Sequence, residues 1–218
     1  MTQTSFTLHG FFRSSTSFRV RIALNLKGLE AEQKTYVLRK GEQRGSDYLA
    51  INPQGLVPTL EMSDGTKLSQ SLAILEWLDE TYPEPPLLPF DAKGRSRVRE
   101  LAQMIALDIH PLNNLRVLGY LSTKLGADED AVADWFKHWA MLAFDALEIR
   151  LSSSADTGEF CHGDQISMAD ICLVSQSVNN RRFAVDEAPY PNIQRIVRHC
   201  LTLPAFKKAL PENQPDAS

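Results

Sequence analysis

Residues 5–9 (SFTLH) alternate apolar and polar, the two-residue period of a strand with one buried face. The period changes after a hydroxyl cluster at 14–17, where Phe18, Ile22 and Leu26 recur four apart and predict a helix that Gly28 ends. Residues 31–38 (AEQKTYVL) suit a second strand. A polar, Gly-containing loop leads to a third beginning at Val57-Pro58-Thr59-Leu60, and Asp64-Gly65 is a hairpin turn before a fourth near Lys67-Leu68. Ser71 then precedes Leu72, Ile74, Leu75 and Leu78, a further amphipathic helix.

The order β-α-β then β-β-α describes a compact α/β unit. Residues 82–89 (YPEPPLLP) hold four of the twelve prolines and mark a linker. Beyond it strand patterning stops, and residues 95–123, 129–151, 168–182 and 191–201 are helical in period. Pro111 should kink or break the first of these. The tail from Pro211 is polar and expected to fray. The expected domains are 1–85, an α/β unit, and 95–218, all-helical, joined by a linker at 86–94.

Composition narrows the function classes. The 218 residues are 43% hydrophobic and 23% charged, as in globular proteins, with net charge −4 and a pI near 5.7. Such a balance argues against a nucleic-acid surface. No apolar run reaches the roughly 20 residues of a membrane helix, and no signal peptide is evident, so a cytoplasmic location is expected. Cys161, Cys172 and Cys200 lack metal-ligand or disulfide spacing, and Asp108 with His110 makes no convincing metal site.

Candidate chemistry lies at two helix starts, one strand mouth and two basic stretches. Arg13-Ser14-Ser15-Thr16-Ser17 sits between the first strand and first helix. Its hydroxyls and free N–H groups can hold an anion such as a thiolate, or simply cap the helix. Free thiols have a pKa of roughly 8.5, so such a site must lower it to make thiolate dominant at neutral pH. Pro58 at a strand mouth suggests a turn, often with a cis bond, leaving the Val57 backbone free to pair with an extended peptide; a plain edge proline is the alternative. Gln70-Ser71 can hold a carboxylate or act as a cap. His110-Pro111-Leu112-Asn113-Asn114-Leu115-Arg116 and Arg181-Arg182-Phe183 offer cations, whether for a substrate carboxylate or for surface ion pairs. Ser167 and Asp170 form a capping box, with Ile166 and Ile171 placed as a hydrophobic staple.

In this order the stretches FRSSTSFRVRIALNLKG (12–28), NPQGLVPTL (52–60), QSLAILEWL (70–78) and HPLNNLRVL (110–118) resemble the zeta-class glutathione transferases, the maleylacetoacetate isomerase family. GDQISMADICLV (163–174), RRFAVDEAPYP (181–191) and ENQPD (212–216) continue the likeness over nearly the whole chain. The resemblance implies a thioredoxin-like N-terminal domain, an all-helical C-terminal domain and a homodimer. It implies glutathione as cofactor, held by Ser14, Ser15, Thr16, Val57, Gln70 and Ser71, with His110, Asn114, Leu115 and Arg116 on a second contact stretch. Arg13, His110, Arg116 and Arg182 would face substrate carboxylates, and Ser14 or Ser15 would activate the thiol, Ser14 being favoured. The family signature usually reads Ser-Ser-Cys-x-Trp; Thr16 and Phe18 depart from it.

The implied reaction is cis–trans isomerisation of maleylacetoacetate to fumarylacetoacetate. A thiolate adds to the alkene, the adduct rotates, and the thiolate leaves. Maleylpyruvate is the alternative substrate. A conjugating transferase or peroxidase would consume glutathione, whereas an interaction module would need none.

Overall fold

The computed structural model describes residues 6–217; of the first strand's expected span, Ser5 lies outside the described residues. Two compact units emerge, one running to Leu87 and taking in the chain again from Leu203, the other Leu88–Thr202.

The first unit is an α/β layer. Strands β1 (Phe6–Gly10), β2 (Ala31–Thr35), β3 (Thr59–Met62) and β4 (Lys67–Ser69) form a sheet ordered β2-β1-β3-β4. β2 runs parallel to β1 and the other pairs are antiparallel. Helix α1 (Ser15–Leu26) makes the right-length crossover from β1 to β2, and α3 (Ser71–Thr81) packs beside it. The core is Phe6, Leu8, Phe18, Ile22, Leu60, Ile74, Leu75 and Leu78, each at most 2% exposed. Burying one such side chain is worth roughly 1.5–3 kcal/mol. Gly28 takes φ 66 after α1, and Leu29 N donates to Leu24 O at 2.9 Å, closing the helix as its sequence predicts. Gly65, at φ 84, turns the β3–β4 hairpin.

The second strand is shorter than expected. It stops at Thr35 because β2 is an edge strand, and the chain turns into a 3₁₀ segment at Leu38–Lys40. The expected loop after it also contains α2 (Ser46–Leu49), which buries Tyr48 completely.

The second unit is helical: α4 (Ala92–Ala106), α5 (His110–Asn113), α6 (Leu115–Leu125), α7 (Glu129–Ser152), α8 (Met168–Asn180) and α9 (Pro191–Cys200). The single period expected over 95–123 is divided into three helices. Pro111 stands in the first turn of α5, where its missing N–H costs nothing. Asn114 then caps α6, its Oδ1 accepting from the N–H groups of Arg116 and Val117. Helix α8 is buried from Met168 to Ser177 and packs on α4 and α9. Its capping box is formed: the buried Asp170 carboxylate accepts from Ser167 N at 2.8 Å, Ser167 Oγ at 2.7 Å and Cys161 N at 2.8 Å.

The C-terminal segment departs from expectation. Residues from 203 were expected with the helical domain, yet α10 (Pro204–Ala209) packs against α1. Arg21 Nε donates to Ala209 O at 3.1 Å, and Asn25 Nδ2 to Ala205 O at 2.9 Å. Nor does the tail fray over its described part. Gln214 Nε2 donates to Lys208 O and Leu210 O, both at 2.9 Å, and Asp216 accepts from Phe12 N. Side-chain amides and a carboxylate supply the partners that the short 3₁₀ segment Pro211–Asn213 cannot.

Candidate functional site

Ser14 is the N-cap of α1, with extended backbone (φ −70, ψ 117), and its Oγ accepts from Ser17 N. Capping is thus one of its roles. Its Oγ also lies 2.9 Å from Thr16 Oγ1, and Thr16 donates to Val57 O at 3.1 Å. Three predicted residues, Ser14, Thr16 and Val57, are therefore linked in one chain of hydrogen bonds. The Val57 carbonyl, expected to be free, already accepts one; its second lone pair remains for another donor. The Val57-Pro58 bond is cis. Ser15 begins α1 and is buried, whereas Arg13 is exposed, its guanidinium 4.9 Å from the centre of the Phe12 ring.

The turn that carries Val57 is held from below by residues that motif reading missed. Tyr48 donates its hydroxyl to Leu56 O at 2.7 Å and accepts from Thr59 at 3.0 Å. Asn52 Nδ2 adds a second bond to Leu56 O, and its Oδ1 accepts from Gln54 N. Tyr36 packs on Tyr48 and bonds His9 Nδ1 at 2.9 Å, while His9 Nε2 meets Glu61 at 2.8 Å. A carboxylate only accepts, so Nε2 carries a proton toward Glu61. His9 and Tyr48 are fully buried, which makes this network a rigid support.

Gln70 and Ser71 open α3. Gln70 has φ 70 and ψ 112, a region L-residues rarely occupy, and its side chain makes no capping bond. Such backbone strain points to a functional constraint. Its Nε2 instead donates to Gln54 Oε1 at 3.0 Å. Ser71 is buried, and Arg19, only 1% exposed, sends Nη1 to within 3.4 Å of its Oγ. The start of α3 thus combines helix-end N–H groups, a hydroxyl and a buried cation, which together favour an anion. Sequence alone does not single out Arg19, because an arginine inside an apolar helix period reads as a surface residue.

In the helical unit His110 opens α5 and is half-buried, while Leu115 and Arg116 are exposed in the first turn of α6. Asn114 spends both lone-pair positions of its Oδ1 on capping, and its Nδ2 donates to Pro111 O at 3.2 Å. Arg182 is exposed on the 3₁₀ segment Arg181–Phe183 and donates to Asn179 Oδ1 at 3.2 Å. Phe136 of α7 unites these stretches: its carbonyl accepts from Asn113 Nδ2 at 2.9 Å, and its ring stacks on Phe183 at 3.7 Å.

The chain's own thiols are poor nucleophiles. All three are buried and none is in a disulfide, and burial pushes the Cys161 and Cys200 thiols upward, with Asp170 adding to it. Among the described residues no group of three or more His, Cys, Asp or Glu could hold a metal ion, and no helix is long and apolar enough to cross a membrane.

Residues 13–81 match the family described as glutathione S-transferase, N-terminal domain. A probable maleylacetoacetate isomerase of Vibrio cholerae is 47% identical over 98% of this chain and 99% of its own length. A solved maleylpyruvate isomerase in holo form, described as a bacterial zeta-class glutathione S-transferase, superposes with a TM-score of 0.95 at 47% identity, covering 97% of this chain and all of that one. The maleylacetoacetate isomerase of Methylobacterium extorquens, solved with malonate and glutathione bound, gives a TM-score of 0.95 at 44% identity, over 97% of this chain and 99% of that one. With a thioredoxin-like sheet unit, a helical unit and full-length identity of this order, the chain belongs to the zeta-class glutathione transferase family, that of the maleylacetoacetate and maleylpyruvate isomerases.

Proposed function

We propose that this chain is a glutathione-dependent cis–trans isomerase of a maleyl dicarboxylate, converting maleylacetoacetate to fumarylacetoacetate. The observation that carries this reading is the hydroxyl array at the start of α1, Ser14 bonded to Thr16 and Thr16 to Val57 O. It suits a thiol peptide, with hydroxyl donors for a thiolate and a backbone acceptor for a peptide N–H. The strained, uncapped start of α3 suits that peptide's carboxylate, backed by Arg19. With the chain's cysteines buried, the nucleophile must be brought in.

When bound, glutathione supplies a thiolate that adds reversibly to the activated alkene and lets its double bond turn. The protein's part is electrostatic. Ser14 donates to the thiolate, aided by the α1 dipole, and Ser15 is the second candidate. Gln70 and Ser71 anchor the carboxylate, and Val57 pairs with the peptide. In this reading Arg13, His110, Arg116 and Arg182 bind the substrate's carboxylates, whose charge a planar guanidinium fork matches. His110, Asn114, Leu115 and Arg116 form the second cofactor-contact stretch, Asn114 acting by holding α6 in register.

The likeness to a maleylpyruvate isomerase at the same 47% identity keeps maleylpyruvate as a second substrate. We further propose a cytoplasmic homodimer. Phe90, 90% exposed, and Leu107, 57% exposed, are large apolar side chains a partner copy would cover. Turnover of both maleyl compounds, each with and without glutathione, tests the function. Isomerisation that requires glutathione without consuming it is expected; steady consumption would make the protein a conjugating transferase.

A further inference from the structure

Only two hydroxyl protons serve the Ser14–Thr16–Val57 chain. Ser14 Oγ and Thr16 Oγ1 have one proton each, and Ser14 Oγ already accepts from Ser17 N at 3.2 Å. Two arrangements satisfy the 2.9 Å contact between Ser14 and Thr16, and only the first also makes the 3.1 Å bond to Val57 O. In the first, Thr16 donates to Val57 O, so Ser14 must donate to Thr16 and has no proton left. In the second, Thr16 turns its proton to Ser14, and the Ser14 proton becomes available outward. Ser14 then accepts from both Thr16 and Ser17 N, which polarises its hydroxyl and makes it a stronger donor.

The choice between the two is made at Val57 O. In the first arrangement the carbonyl holds the Thr16 proton; a peptide N–H arriving at its second lone pair shares the same oxygen and weakens the Thr16 bond. Thr16 is only 8% exposed, so few other acceptors can take its proton, and Ser14 is the one within reach. We propose that Thr16 is a positioning residue, a hydroxyl relay through which occupation of Val57 O turns the Ser14 proton toward the bound thiol. This rests on the reading of Ser14 as the thiol's donor. No bond to carbon or sulfur forms or breaks in the relay; two hydroxyl protons change acceptor. The Cys usual at this place in the family is a weak donor by comparison. The relay therefore belongs to chains with a hydroxyl there.

Ultraviolet titration of the thiol in the glutathione complex tests it. Thr16→Val, which keeps the shape and removes the hydroxyl, should raise the bound thiol's pKa by roughly half to one unit, the worth of one hydrogen bond. Thr16→Ser should restore the original value, and Thr16→Cys should behave like Thr16→Val. Because Thr16 acts through Ser14, the Ser14→Ala, Thr16→Val double variant should titrate like Ser14→Ala alone. An unshifted thiol in Thr16→Val, or additive shifts in the double variant, would overturn the relay. So would a Thr16→Ser shift as large as that of Thr16→Val, which would assign the effect to methyl packing. If Thr16→Val does not fold, the comparison of Thr16→Ser with Thr16→Cys decides, and equal thiol pKa values overturn the relay. The parent reading fails separately: an unshifted thiol in Ser14→Ala removes Ser14 as donor, whatever Thr16 does.

Discussion

Phe12 donates its backbone N–H to the carboxylate of Asp216 at 3.0 Å, tying the last described turn of the chain to the loop that leads into Arg13 and Ser14. Arg21 completes the clamp. Its Nη2 donates to Phe12 O at 3.0 Å and its Nε to Ala209 O, so one guanidinium holds both sides of the junction. Burial lowers the Arg21 pKa to about 10, Asp216 pulling the other way, which still leaves it charged at neutral pH.

Asp216→Ala removes a charged acceptor and the counter-charge of a buried arginine. It should cost about 2 kcal/mol, the worth of a hydrogen bond to a charged group, measured by urea unfolding. Asp216→Asn keeps an acceptor oxygen and should lose less. Equal losses would show that the charge is immaterial.

Arg182→Met keeps much of the side-chain volume while removing the proposed carboxylate partner. A charge-assisted bond of roughly 1.5–3 kcal/mol predicts a ten- to hundred-fold fall in kcat/KM, with glutathione affinity unchanged. Steady-state kinetics alongside calorimetric titration of glutathione separate the two effects.

Lys27 and Asp79 pair at 2.9 Å with their side chains 0% and 10% exposed, and Lys27 also donates to Pro85 O. Asp79 in turn accepts from Leu87 N at 2.6 Å. Lys27→Met strands a buried carboxylate and should destabilise by about 3 kcal/mol or more. Adding Asp79→Leu should recover part of the loss, as the unpaired charge then disappears. Denaturant midpoints of the single and double variants provide the check.

The His9 hydrogen bond holds the Glu61 carboxyl below its ordinary 4.5, and Lys67 at 3.5 Å adds to it. A depressed folded-state pKa means stability that is complete above 4.5 and lost as the pH falls through the folded value. The melting-temperature gap between wild type and Glu61→Gln should therefore be largest near neutral pH and close in the acid range below 4.5. A gap independent of pH would assign the effect to the shape of the network rather than to its charge.

What the sequence alone determined is local in origin. The periods of α1 and α3, the Gly28 stop, the Asp64-Gly65 hairpin and the Ser167–Asp170 box are each set by residues two to four positions apart, so backbone geometry places them without reference to the rest of the chain. The hydroxyl cluster at 14–17 and the Val57-Pro58 turn were legible as separate motifs for the same reason. Tertiary structure decided what those motifs meet. The Thr16–Val57 bond spans 41 residues, His9–Glu61 and Arg19–Ser71 each span 52, and Phe12–Asp216 spans 204. None leaves a periodic trace, because each partner sits at a position its own element would accept with many side chains. Only packing, which lays β1 against β3, α1 against α3 and α10 against α1, brings the pairs within hydrogen-bond reach. Once buried, a polar group without a partner is costly, and that cost selects the pairings.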